Sequence, residues 1–132
     1  MLKDLMADNF QYAVAEQVLC NGSILDILNR HQECSTKIQR SIIKTVTTCG
    51  CVQIQLKKYE LPKNASLMDL KSTCTPSVTG SLCPNCREKI ENEIGRSLVY
   101  LAATCNSLDI NLFDVIIKEH HKMQLLGQYN IT

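Results

Sequence analysis

Two short stretches decide how this chain is read: Cys49-Gly50-Cys51 and Cys83-Pro84-Asn85-Cys86. Thiolates are soft, negatively charged donors, and four of them close a tetrahedral shell around one zinc ion. Two close pairs far apart in sequence supply that shell economically, since each pair is a short knuckle. Gly50 gives the one-residue spacer its backbone freedom. Pro84 suits the first position of a helix, from which Cys86 can reach back. The expected site is therefore a structural zinc on Cys49, Cys51, Cys83 and Cys86, with no ligand position left for a catalytic water. A disulfide framework, a redox Cys-x-x-Cys and buried unpaired thiols compete with it. A redox motif belongs after a strand in a βαβ unit, and the sequence pattern offers none. Met1-Leu2-Lys3-Asp4 leads straight into an amphipathic pattern with acids in it, unlike a signal peptide. The expected compartment is the reducing cytoplasm, where structural disulfides are rare.

The remaining cysteines are scattered. Cys20, Cys34 and Cys105 fall within apolar helical patterns, where free cysteine packs as a small hydrophobe. Cys74 lies near the quartet and reads as a loop thiol or a spare ligand. The 132 residues suit a single domain over 1–132. Hydrophobic residues make up 45%, aromatic residues 5% and tryptophan none, so the core is aliphatic and suits packed helices. A formal net charge of +1 with no basic block argues against nucleic acid as a partner. No apolar run is long enough to span a bilayer, so no membrane partner is expected.

Working outward from the quartet, the pattern predicts four helices over about 2–20, 24–48, 84–108 and 112–126, with an insert over 49–86. In the first, Leu2, Leu5, Met6, Phe10, Ala13, Val14, Gln17 and Val18 recur at three- and four-residue steps. Ser23 is an N-cap for the second. Its apolar line runs through Ile24, Leu28, His31, Cys34, Ile38, Ile42 and Val46, with its weakest part over His31–Thr36. His31 reads as a hydrogen-bonded core or interface histidine. In the insert, Val52, Ile54 and Leu56 alternate with polar residues as a short half-exposed strand does. Ser66-Leu67-Met68-Asp69 opens a short helix through about Thr73, and 75–81 reads as a loop. Ile90, Ile94, Leu98, Leu101, Ala102 and Cys105 form the face of the third helix. Asn111 caps the last helix, where Glu119-His120-His121-Lys122 reads as a solvated face.

Glu91-Asn92-Glu93-Ile94-Gly95-Arg96-Ser97-Leu98-Val99-Tyr100-Leu101, followed by Leu108-Asp109-Ile110-Asn111-Leu112, resembles the MazG-like nucleotide pyrophosphohydrolases. In that family a helix with Glu-x-x-Asp leads into an apolar Tyr-Leu run, a turn and a closing helix. The resemblance implies an all-α fold: a four-helix MazG-like bundle with a small zinc-bound insert, a short strand or hairpin, between the second and third helices. It also implies a homodimer or tetramer, and Mg²⁺-dependent hydrolysis of nucleoside triphosphates. Mg²⁺ takes oxygen ligands, and the reaction needs several convergent carboxylates. Glu93 matches the first acid of the motif, but Arg96 stands where the aspartate should be, and arginine cannot hold Mg²⁺. The acids of the second helix, Asp26 and Glu33, do not form the family's Glu-x-x-Glu pattern.

The expected role is accordingly that of a catalytically inactive member with no catalytic residues. It would bind a nucleotide, with Glu88, Glu91, Glu93 and Arg96 as candidate nucleotide or Mg²⁺ contacts, or serve as an oligomeric interaction scaffold. One alternative is a pyrophosphohydrolase that places Glu88, Glu91 and Glu93 on Mg²⁺, joined by Asp114 or His120. The other is a zinc-containing nucleic-acid regulator using Lys57, Lys58, Lys63, Arg87 and Lys89.

Overall fold

The computed structural model describes residues 2–18, 23–56, 58, 63 and 77–126. Helices α1 (Leu2–Val18), α2 (Ile24–Lys44), α3 (Pro84–Ser107) and α4 (Leu112–Leu126) carry most of them. Between α2 and α3 lie a π-helical turn, Thr45–Cys49, and strands β1 (Val52–Ile54) and β2 (Val78–Gly80). The strands pair antiparallel, with Val52 opposite Gly80 and Ile54 opposite Val78. The fold is thus mainly helical with a two-stranded ribbon between the second and third helices. Strand β2 falls within the stretch read from sequence as a loop. Its three exposed residues carry no apolar alternation, and only pairing with β1 makes it a strand. The helix expected over 66–73 lies outside the described residues, as do Cys20, Cys74 and Lys57.

The chain sorts into two compact units, one of Met1–Thr36 with Glu93–Thr132, the other Lys37–Asn92. The first has its core in Val14, Ile27, Ala102 and Ala103, with Val99, Tyr100 and Leu112 packed against them. Alanines at its centre let helices approach closely. In the second unit Thr45, Val52 and Ile90 are buried.

Helix starts follow the capping expectations. The Ser23 hydroxyl accepts the Asp26 amide at 3.2 Å, and Asn111 Oδ1 accepts the Asp114 amide at 3.0 Å. Helix α2 runs unbroken through 31–36. Its buried residues are Ile27 and Cys34, with His31, Ile38 and Ser41 half-buried on the way to the buried Thr45 of the π-turn. Leu28 and Ile42, expected to face inward, are exposed. Ile27 decides this phase, because it is the α2 residue packed with Val14, Ala102 and Ala103. Helix α3 ends in a Schellman turn. Ile110 donates to the Cys105 carbonyl at 2.8 Å and Asp109 to that of Asn106 at 3.4 Å, with Asp109 at a φ of 55°.

Among the described side chains of α1, Val14 is the buried apolar one, whereas Leu5 and Met6 of the expected stripe are exposed. It is held instead by a polar lock. Gln11 Nε2 donates to Asn106 Oδ1 at 2.9 Å and to the Ile110 carbonyl at 2.7 Å. Its Oε1 accepts the Leu112 amide at 2.8 Å, and Asn106 Nδ2 returns a bond to the Gln11 carbonyl at 3.1 Å. One side chain thus satisfies groups at both ends of the turn between α3 and α4. Replacing Gln11 by Ala removes these side-chain bonds and leaves partly buried partners unmet. The expected loss is about 1–3 kcal/mol of unfolding free energy, read by urea titration.

Candidate metal centre

Each sulfur of the quartet is placed by a different local device. Cys49 ends the π-turn, where the Gly50 amide donates to the Thr45 carbonyl at 2.8 Å and Gly50 takes a φ of 81°. That left-handed residue reverses the chain within a single position. Cys51 follows at the foot of β1, its sulfur 3.9 Å from the Thr45 carbonyl. Thr45 is 1% exposed, and its hydroxyl donates to the Ile42 carbonyl at 2.6 Å, which secures the turn. Cys83 caps α3: its carbonyl accepts the Arg87 amide at 2.9 Å and its sulfur the Cys86 amide at 3.4 Å. Pro84 occupies the first helical position, where a missing amide hydrogen costs nothing. Cys86 then lies one turn into the helix.

These devices bring all four sulfurs within 4.8 Å of one another. Cys49 Sγ and Cys83 Sγ are 3.8 Å apart. Metal–sulfur bonds of about 2.3 Å put neighbouring corners of a tetrahedron about 3.8 Å apart, so the spacing fits four thiolates on one ion. It is far longer than the roughly 2.05 Å of a disulfide, and all four cysteines are free. The quartet can hold a metal ion. It is the one group of three or more His, Cys, Asp or Glu residues among the described residues that is close enough to do so.

Gly80 was missed by sequence reasoning. It faces Val52 across the ribbon, with a φ of 88°, and a Cβ built there would lie 2.7 Å from the Cys51 carbonyl oxygen. Its place three residues before Cys83 was the available signal, since a knuckle ligand needs a backbone that can pass close to its neighbour.

The thiols differ in acidity. The Cys86 amide, and after it the Cys86 thiol, hold Cys83 down at about 7. Cys86, sharing its proton with the Cys83 sulfur, is pushed up to about 12. Cys49 is also raised, first by Cys83. Near neutrality the Cys86 sulfur therefore keeps its proton, while Cys83 stands close to its midpoint. Metal entry must displace the remaining protons.

The candidate oxygen ligands do not converge in the same way. Glu88 and Glu91 are exposed on the first turns of α3, Glu93 is half-buried, and Arg96 is exposed one turn later. On α2, Asp26 is paired with Arg30 at 3.1 Å, and Glu33 is also engaged. His120 and His121 are exposed with ring centroids 6.5 Å apart, beside a Glu119–Lys122 pair at 3.8 Å. Lys58, Lys63, Arg87 and Lys89 are exposed. Cys34 and Cys105 are buried, as hydrophobic packing of thiols requires. Among the described residues no helix is long and apolar enough to cross a membrane. Comparison of the chain with protein-family models, with curated proteins and with solved structures gave no match.

Two outcomes test the geometry. Gly80→Ala forces a side chain against the Cys51 carbonyl in a left-handed backbone. It should cost about 1–2 kcal/mol of stability and weaken metal binding, measured by denaturation and competitive chelation. Proton release on metal addition should be roughly one proton per chain greater at pH 6 than at pH 8. Cys83 carries its proton below about 7 and has lost it above, so weakly buffered titration with a pH indicator reads the difference.

Proposed function

We propose that this chain is a zinc-stapled helical protein that works by binding and assembly rather than by catalysis. In this reading it is a MazG-like protein whose hydrolytic carboxylates have been lost. The observation that carries it is the enclosure of one position by four sulfur atoms within 4.8 Å of each other. A shell of four thiolates suits zinc, a closed tetrahedral site leaves no place for substrate or water, and such a site contributes folding energy directly. The order of helices and the turn between α3 and α4 are consistent with the MazG-like arrangement. Arg96 in the place of an aspartate, and the pairing of Asp26 with Arg30, support loss of the Mg²⁺ chemistry. Zinc would be bound within the 37–92 unit, so its role there is to hold the ribbon to the start of α3.

One observation favours a second reading, nucleotide binding without hydrolysis. Glu93 Oε2 is buried and has no hydrogen-bond partner, an arrangement that proteins seldom tolerate. A cation or ligand donor at that oxygen, with Arg96 taking phosphate, would satisfy it.

Purified protein should contain one zinc per chain by elemental analysis. Cys51→Ser and Cys83→Ser should lose the metal and unfold at lower temperature, whereas Cys105→Ser should keep it. Retention of one zinc by all three variants would refute the quartet as the site. For the second reading, nucleoside triphosphate with Mg²⁺ should raise the melting temperature of wild type and not of Glu93→Gln.

A further inference from the structure

The four sulfurs have a second chemistry besides holding an ion, and their surroundings sort them for it. Cys49 is exposed, whereas Cys51, Cys83 and Cys86 are half-buried. A Cβ built at Gly50, the next residue, would meet nothing within 4 Å, so the outer side of this knuckle is open. Thiol–disulfide exchange depends on access as well as on the thiol itself. A dissolved reagent therefore meets Cys49 first. Two of the others are engaged by the backbone: Cys51 Sγ lies 3.9 Å from the Thr45 carbonyl, and Cys83 Sγ accepts the Cys86 amide at 3.4 Å.

The sulfur placed to respond is that of Cys83, 3.8 Å from Cys49 Sγ. The gap to the roughly 2.05 Å of a disulfide is small enough for rotation about the two Cα–Cβ bonds to close. Cys51 is separated from Cys49 by a single residue, and a ring that small strains the disulfide dihedral. A Cys49–Cys83 bond instead joins positions 34 apart. It ties the end of the π-turn to the start of α3, the two elements that an ion in the quartet would hold. Closing a long loop is also the arrangement in which a disulfide stabilises a chain most.

We infer that Cys49 and Cys83 are a disulfide-forming pair, with Cys49 the point of entry for a low-molecular-weight disulfide. First the Cys49 sulfur attacks one sulfur of the reagent. A mixed disulfide forms, the reagent's S–S bond breaks, and the Cys49 proton passes to the released thiol. The Cys83 sulfur then attacks Cys49 Sγ and displaces the second reagent thiol, which takes up the Cys83 proton. Two protein thiols are thereby oxidised to one disulfide, and the reagent is reduced to two thiols. With that bond made, Cys51 and Cys86 are the donors left of the quartet, too few to close a tetrahedral shell. The quartet is thus either reduced and able to take zinc, or oxidised and unable to. Only this consequence rests on the zinc reading; the pair itself rests on the geometry.

Exchange of the full chain with oxidised glutathione, after metal has been stripped with a chelator, tests this. Peptide maps made without reductant should show a Cys49–Cys83 link in wild type, formed roughly ten-fold faster or more in buffer than in urea. Zinc uptake should fall by the fraction linked and return with dithiothreitol. Cys83→Ser should stop with glutathione on Cys49. Cys86→Ser should still form the link, which guards against loss of the fold as the cause. A stable mixed disulfide on Cys49 of wild type overturns the inference. So does a link within either knuckle, or one that forms as readily in urea. A chain that makes the link yet holds no zinc when reduced refutes the zinc reading and leaves this pair standing. A chain that holds zinc and makes no link does the reverse.

Discussion

Four sulfur atoms held within contact of one another are the constraint on which the ribbon unit depends. As thiols they are weak hydrogen-bond partners; as thiolates they repel. Hydrogen bonding between Cys83 and Cys86 lowers the first and raises the second. A bound ion would turn mutual repulsion into four attractive bonds. The local backbone is shaped so that the four sulfurs meet. The last turn of α2 widens into a π-turn, Gly50 reverses the chain in one step, and Gly80 lets β2 pass the Cys51 carbonyl. The first turn of α3 donates the Cys86 amide to the Cys83 sulfur. Helix starts have unsatisfied donors, and here one of them is used to place a ligand.

The helical unit is built on a different principle. Its core is small, with two alanines at the centre, and much of its aliphatic surface is left in contact with solvent. Polar groups supply what the core does not. Gln11 binds α1 to the turn between α3 and α4 through direct hydrogen bonds, a geometry with far less tolerance for sliding than apolar contact. Directional bonds fix register, whereas aliphatic rows set only approximate orientation. The two together explain how α1 can be well placed while presenting Met6 and Tyr12 to solvent.

Spacing made the cysteine quartet legible, because ligand geometry is local and two knuckles leave a recognisable mark. Periodicity made the helices legible for the same reason, and Ser23 and Asn111 marked two starts through their side-chain oxygens. What could not be read depends on distant partners. The phase of α2 is set by Ile27 meeting Ala102 and Ala103, and the sequence of α2 alone made Leu28 and Ile42 equally good inward residues. Gln11 looked like any exposed glutamine, since its partners lie 95 or more positions away. Strand β2 has no pattern of its own and exists by pairing with β1. Of the candidate sites, the sulfur set was visible in full. The oxygen set was visible only as a scatter of acids, which α3 places on separate sides.

The knuckles close the ribbon at its base, with Cys51 beside β1 and Cys83 just beyond β2. At the other end the Gln55 amide donates to the Ser77 carbonyl at 2.8 Å, so the two strand ends are held side by side. Lengthening a loop whose ends are fixed is thermodynamically mild, at about 0.6 kcal/mol for each doubling. Added length between strand ends already held together is therefore cheap in free energy. A foreign peptide grafted there would be displayed from a stem of two paired strands with the four cysteines at its base.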